Sequence, residues 1–324
     1  MEEKIPLLCV VGPTASGKTK LSVSLGGRFG GEVVSADSMQ IYRGMKIATA
    51  KPMPEEMGSV PHHLIDFLEP ETPFSVVQYA ELAKEVIRKI HCRGRIPILA
   101  GGTGLYVQAV TENLTFSEGG RDPAYREELK KIAKDQGNEV VLELLRREDP
   151  ALAEGMHPNN LNRIIRALEV KRSTGIPLSE HNRRSRTEPP PYRLCMLGLS
   201  FRDRGQLYRR INSRVDRMLE MGLLEETRQV LEQEGNTATA MQAIGYKELR
   251  GYFTGEVTLG EAVENLKRET RRYAKRQLTW FKRDSRIHWL MVDEFQDEKE
   301  LTEAACEIVR SSEAWQGSGR KETL

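Results

Sequence analysis

Near the start of the chain, Gly12-Pro13-Thr14-Ala15-Ser16-Gly17-Lys18-Thr19 satisfies the phosphate-binding loop pattern G-x-x-x-x-G-K-[ST] at every constrained position. The apolar run Ile5 to Val11 leads into it and reads as a buried strand, and Lys18 to Phe29 reads as a helix. That placement dictates the physics. Gly12 and Gly17 let backbone N–H groups turn around an anion, and the helix N-terminus adds unpaired donors and partial positive charge. Lys18 brings a full charge, and the Thr19 hydroxyl is placed to ligate a phosphate-bound Mg²⁺. A strand–loop–helix unit of this kind predicts an α/β fold: a parallel sheet of the P-loop NTPase type, flanked by helices.

With 324 residues the chain has room for one large or two modest domains. The net charge of +2 argues neither for nor against a nucleic-acid partner. Cys9, Cys92, Cys195 and Cys306 lie far apart, with neither metal-ligand spacing nor a disulfide framework, which suits a reducing cytoplasm. The first residues, Met1-Glu2-Glu3-Lys4, are short and acidic, so no signal or transit peptide is expected. No apolar run approaches the roughly 20 residues of a membrane span. The end after Trp315 is expected to fray.

A second strand, Glu32 to Ala36, ends on Asp37-Ser38-Met39-Gln40. Carboxyl ends of strands in an open α/β sheet face the ligand crevice, so Asp37 either faces the phosphate or caps a turn. Ile41 to Pro54 reads as an ordered loop. Ser75-Val76-Val77-Gln78 is a capping box opening a helix that ends near Gly94. The strand Ile96 to Ala100 then runs into Gly101-Gly102-Thr103-Gly104, which reads either as a second site turn bearing Thr103 or as a tight connection needing small residues. That strand lacks the Walker-B aspartate of ordinary NTPases. A late run, Trp289 to Val292, closes on Asp293 and reads as an edge strand ending in a turn.

From about Asn113 to Pro191 strand signals vanish. Helices are expected from Pro123 to about Gln136, from Glu139 to Arg147, and from beyond Asn159 to Gly175, with Leu161, Ile164, Ile165 and Leu168 as the last one's buried stripe. The division is therefore 1–112 with 192–324 as the α/β core, and 113–191 as an inserted all-helical domain. Arg193 to Leu199 returns to strand. In the helix that follows, Arg210 and Arg214 share a face, either solvated or holding phosphate. The last long helix, roughly Leu259 to Arg283, carries Lys267, Arg268, Arg271, Arg272, Lys275, Arg276, Lys282 and Arg283. So dense a one-sign face reads either as a solvated surface or as the footprint of phosphate-backbone binding, and favours the latter because solvated helices mix signs more evenly.

Taken in order, these blocks resemble the tRNA dimethylallyltransferase family, also called tRNA isopentenyltransferases. The resemblance rests on Gly12–Thr19, Asp37–Met45, Thr49–Pro52, Pro61–Asp66, Gly101–Tyr106, His157–Asn159, Arg163–Val170, Arg209–Asp216, Thr239–Glu248 and Lys267–Phe281. It implies transfer of the dimethylallyl group of dimethylallyl diphosphate to N6 of an adenosine beside the anticodon. The loop would then grip a departing diphosphate, aided by Mg²⁺ on Thr19 and by Arg214, and Asp37 would be the general base. Thr103 would contact the target adenosine, and Gln40 carries an amide able to pair with an adenine edge. The tRNA anticodon stem-loop is the implied partner. Arg126, the segment Asn162-Arg163-Ile164-Ile165-Arg166 and the segment Gln242-Ala243-Ile244-Gly245-Tyr246-Lys247 are its implied contacts, with Ser38 and Met39 beside Asp37. The inserted helices would clamp the stem-loop against the core. A monomer of the compact bacterial type is expected, without the zinc finger of eukaryotic members. Lys46 and Ala48 depart from the family's acidic residue and glycine, and Asn160 from its aspartate.

Two further readings keep the same scaffold. One is a phosphoryl-transferring small-molecule or nucleoside kinase. The other is an RNA-binding module with a relict loop, against which the intact Lys18 and Thr19 speak.

Overall fold

The computed structural model describes residues 4–114, 122–185, 189–232 and 243–316. The chain divides into two compact units, Met1–Thr111 with Pro191–Leu324, and Glu112–Pro190. The strands described are β1 (Ile5–Val11), β2 (Gly31–Ser35), β3 (His62–His63), β4 (Ile96–Gly101), β5 (Tyr192–Ser200) and β6 (Ile287–Met291). They form one sheet of order β3-β2-β4-β1-β5-β6, parallel at every pairing. Helices α1 (Lys18–Phe29), α2 (Pro54–Met57), α3 (Val76–Cys92) and α4 (Gly104–Thr111) belong to the first stretch of this unit. The helical unit holds α5 (Pro123–Gln136), α6 (Asn138–Glu148), α7 (Pro150–Ala153), α8 (Leu161–Thr174) and α9 (Leu178–Arg184). After β5 come α10 (Arg204–Glu220), α11 (Leu223–Glu232), α12 (Tyr246–Phe253), α13 (Leu259–Phe281), α14 (Glu298–Ser311) and α15 (Glu313–Gln316).

β1 is apolar throughout because both faces of the sheet are covered, as parallel sheets require. Leu8 and Val10 pack with Leu21, Leu25 and Phe29 of α1 and with Leu301 and Val309 of α14. Leu7, Cys9 and Val11 meet Tyr79, Ala83, Ile87 and Ile90 of α3 on the other face. α3 starts at the expected capping box: Ser75 Oγ accepts from Gln78 N, and Gln78 Oε1 from Ser75 N. β6 is the expected edge strand, and Asp293 beyond it accepts from the N–H groups of Arg202 and Asp203. It closes a loop; it is not placed to hold a metal. The sequence reading does not assign α11 and α14, although Asp297 caps α14 by accepting from Glu300 N at 2.8 Å.

The glycines at the end of β4 make room for neighbouring atoms. Gly101 has no left-handed backbone, yet a Cβ there would lie 2.2 Å from Ala36 O. The ends of β2 and β4 are thereby brought together. Gly101→Ala is expected to destabilise the chain by about 3 kcal/mol through this clash, a drop that thermal denaturation followed by circular dichroism will register.

The helical unit has its own core, with Leu129, Val141, Leu142, Leu145, Ile164, Ile165 and Leu168 buried together. Asp122 caps α5 by accepting from Tyr125 N at 3.0 Å. Asn160 is the N-cap residue of α8 without a side-chain cap bond.

Candidate functional site

In a parallel sheet all carboxyl ends lie on one side, and here they supply the walls of a cavity of about 1130 Å³. The phosphate loop rises from β1, Asp37 follows β2, Gly101 ends β4, and Gly102 and Thr103 follow it. Arg210 and Arg214 of α10 line the cavity as well. Gly17 adopts φ +98° at the start of α1, a left-handed turn that glycine alone takes without strain. Arg210 Nε donates to Ala15 O at 3.0 Å and braces the loop. Among the described residues Ser16 Oγ is buried without a hydrogen-bond partner, and an orphaned hydroxyl in such a cradle fits an incoming anionic oxygen.

Lys18 is the principal charge. Its Nζ donates to Pro13 O at 2.7 Å. Burial, and then the neighbouring Arg214 charge, pull its pKa down to about 8, against the pull of Asp37. Burial also lowers the pKa of Arg214, again opposed by Asp37. Both cations line the cavity and both are held below their ordinary pKa, a cost that a multivalent anion would relieve.

Asp37 both closes a turn and lines the cavity. Its Oδ1 accepts from Met39 N at 2.9 Å, closing a turn. Among the described residues no donor engages Oδ2, and Asp37 lines the cavity. β2 is anchored just before it by Tyr79, whose hydroxyl donates to Ser35 O at 2.8 Å. Thr103 lies next to it, because Thr103 N donates to Ala36 O at 3.0 Å and Ser38 N donates to Thr103 Oγ1 at 3.0 Å. The sheet thus brings Lys18, Thr19, Asp37, Thr103 and Arg214 to one end of one unit.

Several expected contacts are placed otherwise. Gln40 has an engaged amide: Nε2 donates to Thr49 O and Ala50 O, and Oε1 accepts from Ser35 Oγ. It props a loop in this structure instead of offering an edge to a base. Met39 packs against the cluster of Ile41 and Tyr42. Tyr246 is buried with its hydroxyl on Glu226 at 2.8 Å, and Ala243 is buried too. Ile244 and Gly245 line the cavity, Lys247 is exposed, and Gln242 lies outside the described residues. Ile164 and Ile165 are core residues of the helical unit, whereas Asn162 and Arg163 beside them are exposed. Arg126 forms a two-pronged pair with the buried Glu169, Nε to Oε1 at 3.0 Å and the other prong at 2.5 Å. Arg166 lies 3.9 Å from the same carboxylate. Arg126→Ala would leave Glu169 without its closest cation, so a loss of about 3 kcal/mol in the stability of the helical unit is expected, measurable by urea unfolding. An RNA-contact role alone would leave stability unchanged.

The basic face of α13 is less bare than its sequence suggests. Lys267 pairs with Asp216 at 2.7 Å, Arg272 with Glu269 at 2.5 Å, and Arg271 donates to Asn212 at 2.7 Å. Lys275, Lys282 and Arg283 are exposed.

Two residues that sequence reasoning missed hold the site together. Glu226 accepts from the backbone N–H of Lys46, Ile47 and Ala48 at 2.7–2.9 Å, as well as from Tyr246. The loop bearing the departures Lys46 and Ala48 is thus fixed through its backbone. The small Ala48 also suits its neighbour, since its Cβ lies 2.9 Å from where a Cβ on Gly245 would be. Gln277 of α13 is the second; its Oε1 accepts from Thr14 N at 2.9 Å and its Nε2 donates to Gly102 O at 3.0 Å. No local pattern announces either, because their backbone partners lie more than 170 positions away in the chain.

Among the described residues no helix is long and apolar enough to cross a membrane. The family model described as IPP transferase matches residues 40–284. A tRNA dimethylallyltransferase of Geobacillus thermodenitrificans is 50% identical over 289 residues, 89% of this chain and 90% of that one. The crystal structure of the full-length tRNA isopentenylpyrophosphate transferase of Bacillus halodurans superposes with a TM-score of 0.72 at 44% identity, covering 98% of each chain. A eukaryotic dimethylallyltransferase, described in crystallographic snapshots as acting on tRNA, gives 0.77 at 28% identity, covering 98% of this chain and 81% of its own. With the family model spanning well over half of its length and relatives this similar across nearly all of it, the chain belongs to the IPP transferase family of enzymes.

Proposed function

We propose that the chain transfers the dimethylallyl group of dimethylallyl diphosphate to N6 of the adenosine 3′-adjacent to the anticodon of tRNA, releasing diphosphate. The observation that carries this reading is one cavity with an anion cradle on β1 and a carboxylate, Asp37, at the end of β2. The Walker-B position at the end of β4 is Gly101, packed against Ala36, with no acid to serve phosphoryl transfer.

Breaking the allylic C–O bond leaves positive charge on carbon and negative charge on diphosphate. Lys18, Arg214 and the loop amides meet the negative charge where it develops. The adenine N6 lone pair is conjugated into the ring, so the amine is a weak nucleophile. Asp37 takes its proton through the open Oδ2 as the new C–N bond forms. Thr103, tied to Ser38, orients the base beside that carboxylate. The target base must leave its stack to reach the carbon, which single-stranded anticodon loops permit at low cost. Asn162, Arg163, Lys247 and the exposed cations of α13 would meet the RNA backbone.

Among the described residues no group of three His, Cys, Asp or Glu side chains could hold a metal. The donor set instead suits an ion carried by phosphate oxygens, with Thr19 the residue that would hold it, as Mg²⁺ favours one or two protein ligands plus phosphates and water. When bound, it would neutralise charge on the departing diphosphate.

Diphosphate release separates this reading from a kinase. Release is expected only when dimethylallyl diphosphate and tRNA are both present. Consumption of ATP with a small acceptor, and no release with the prenyl donor, would overturn the proposal.

A further inference from the structure

The phosphate loop of this chain is not fully open to phosphate. Thr14 N–H is one of its backbone donors, and in this structure it is already taken by Gln277 Oε1 at 2.9 Å. Gln277 is 5% exposed and lines the cavity. Its amide can sit only one way round, because Thr14 N–H needs an acceptor and Gly102 O, 3.0 Å from Nε2, needs a donor. The site leaves no slack behind it: a Cβ on Gly102 would lie 2.1 Å from Nε2. Swinging away would break these bonds and leave buried polar groups unpaired.

The consequence is electrostatic. A polyphosphate seated over the start of α1 is held there by Lys18 and the amides around Gly17. An additional phosphoryl group running toward Thr14 would meet a carbonyl oxygen where an open loop offers an N–H. Resting on the proposed function above, we propose that Gln277 is a specificity-determining residue. It closes the Thr14 end of the loop, so that the cradle takes a diphosphate and turns away a triphosphate chain. On this account a loop pattern shared with nucleoside triphosphate enzymes is restricted to a diphosphate donor by one amide from the last long helix.

The test uses the full chain with inorganic pyrophosphate and inorganic tripolyphosphate as probes, each titrated calorimetrically with Mg²⁺ present. The native protein is expected to prefer pyrophosphate. Gln277→Ala uncovers Thr14 N–H and opens space, and is expected to raise tripolyphosphate affinity relative to pyrophosphate at least tenfold. Gln277→Glu keeps the size and the acceptor but adds a charge. It is expected to weaken both anions, tripolyphosphate more. The opposite signs of the two variants distinguish selection from loss of folding, which would weaken both anions together in both variants. An unchanged ratio in both variants, with pyrophosphate still bound, overturns the role of Gln277 alone. If the native protein binds neither anion, the diphosphate cradle itself is refuted and this inference falls with it.

Discussion

Asp37→Asn is expected to lower the rate of prenyl transfer by about 10²–10⁴-fold while leaving tRNA affinity within a few-fold of the native value. Asparagine is the informative choice because Asp37 has two tasks. Its Oδ1 closes the turn by accepting from Met39 N, and an amide oxygen can keep that bond. What asparagine cannot do is take the N6 proton through the second oxygen. Alanine would remove turn and base together and confound the result. Single-turnover rates at saturating substrates, alongside filter-binding of tRNA, separate the two tasks. Native-like rates in the asparagine variant would remove Asp37 as base.

Lys18→Met should cost about 10²–10³-fold in rate, the scale of losing one preorganised partner of a developing charge. The pH dependence is the sharper signature. Unliganded Lys18 has its pKa held down to about 8 by burial and by Arg214, and a bound diphosphate restores the charged form. Above pH 8 diphosphate binding must therefore draw in a proton, so affinity falls as pH rises, by up to about tenfold per pH unit. The methionine variant should lose that slope relative to the native protein, whose ligand titration is common to both. Folding carries the same linkage with the sign worked through: the unfolded lysine, at 10.5, holds a proton that the folded one has lost. This group's contribution to stability accordingly rises between pH 8 and 10.5. Calorimetry in buffers of different ionisation enthalpy reads the proton uptake directly, and equal slopes for the two proteins would mean that Lys18 does not face the anion.

The parts of this site readable from sequence are those whose physics is local. The loop Gly12–Thr19, its strand and its helix are a contiguous pattern, and so is the capping box of α3. Side-chain period alone indicates a buried two-faced strand at β1 and a buried stripe of Ile164 and Ile165 on α8. The same stripe shows why family segments do not translate residue by residue into contacts, since those two isoleucines fill a core while Asn162 and Arg163 face solvent. What sequence hides is what comes from distant pairing. Glu226 looks like one more surface acid on a helix, yet four donors converge on it from two other segments. Gly101 looks like turn chemistry, yet it is required by the approach of Ala36. The cations of α13 look like one field until Asp216, Glu269 and Asn212 are seen to engage three of them.

The central claim, that a phosphate cradle here grips a leaving diphosphate beside a base for an exocyclic amine, is tested most directly by following the carbon. The purified chain, Mg²⁺ and tRNA are incubated with dimethylallyl diphosphate labelled in its allyl group, and the RNA is digested and sequenced by mass spectrometry. The account predicts label on N6 of the adenosine immediately 3′ of the anticodon, and none in the Asp37→Asn protein beyond its residual rate. Unlabelled tRNA after prolonged incubation with the native protein would contradict it.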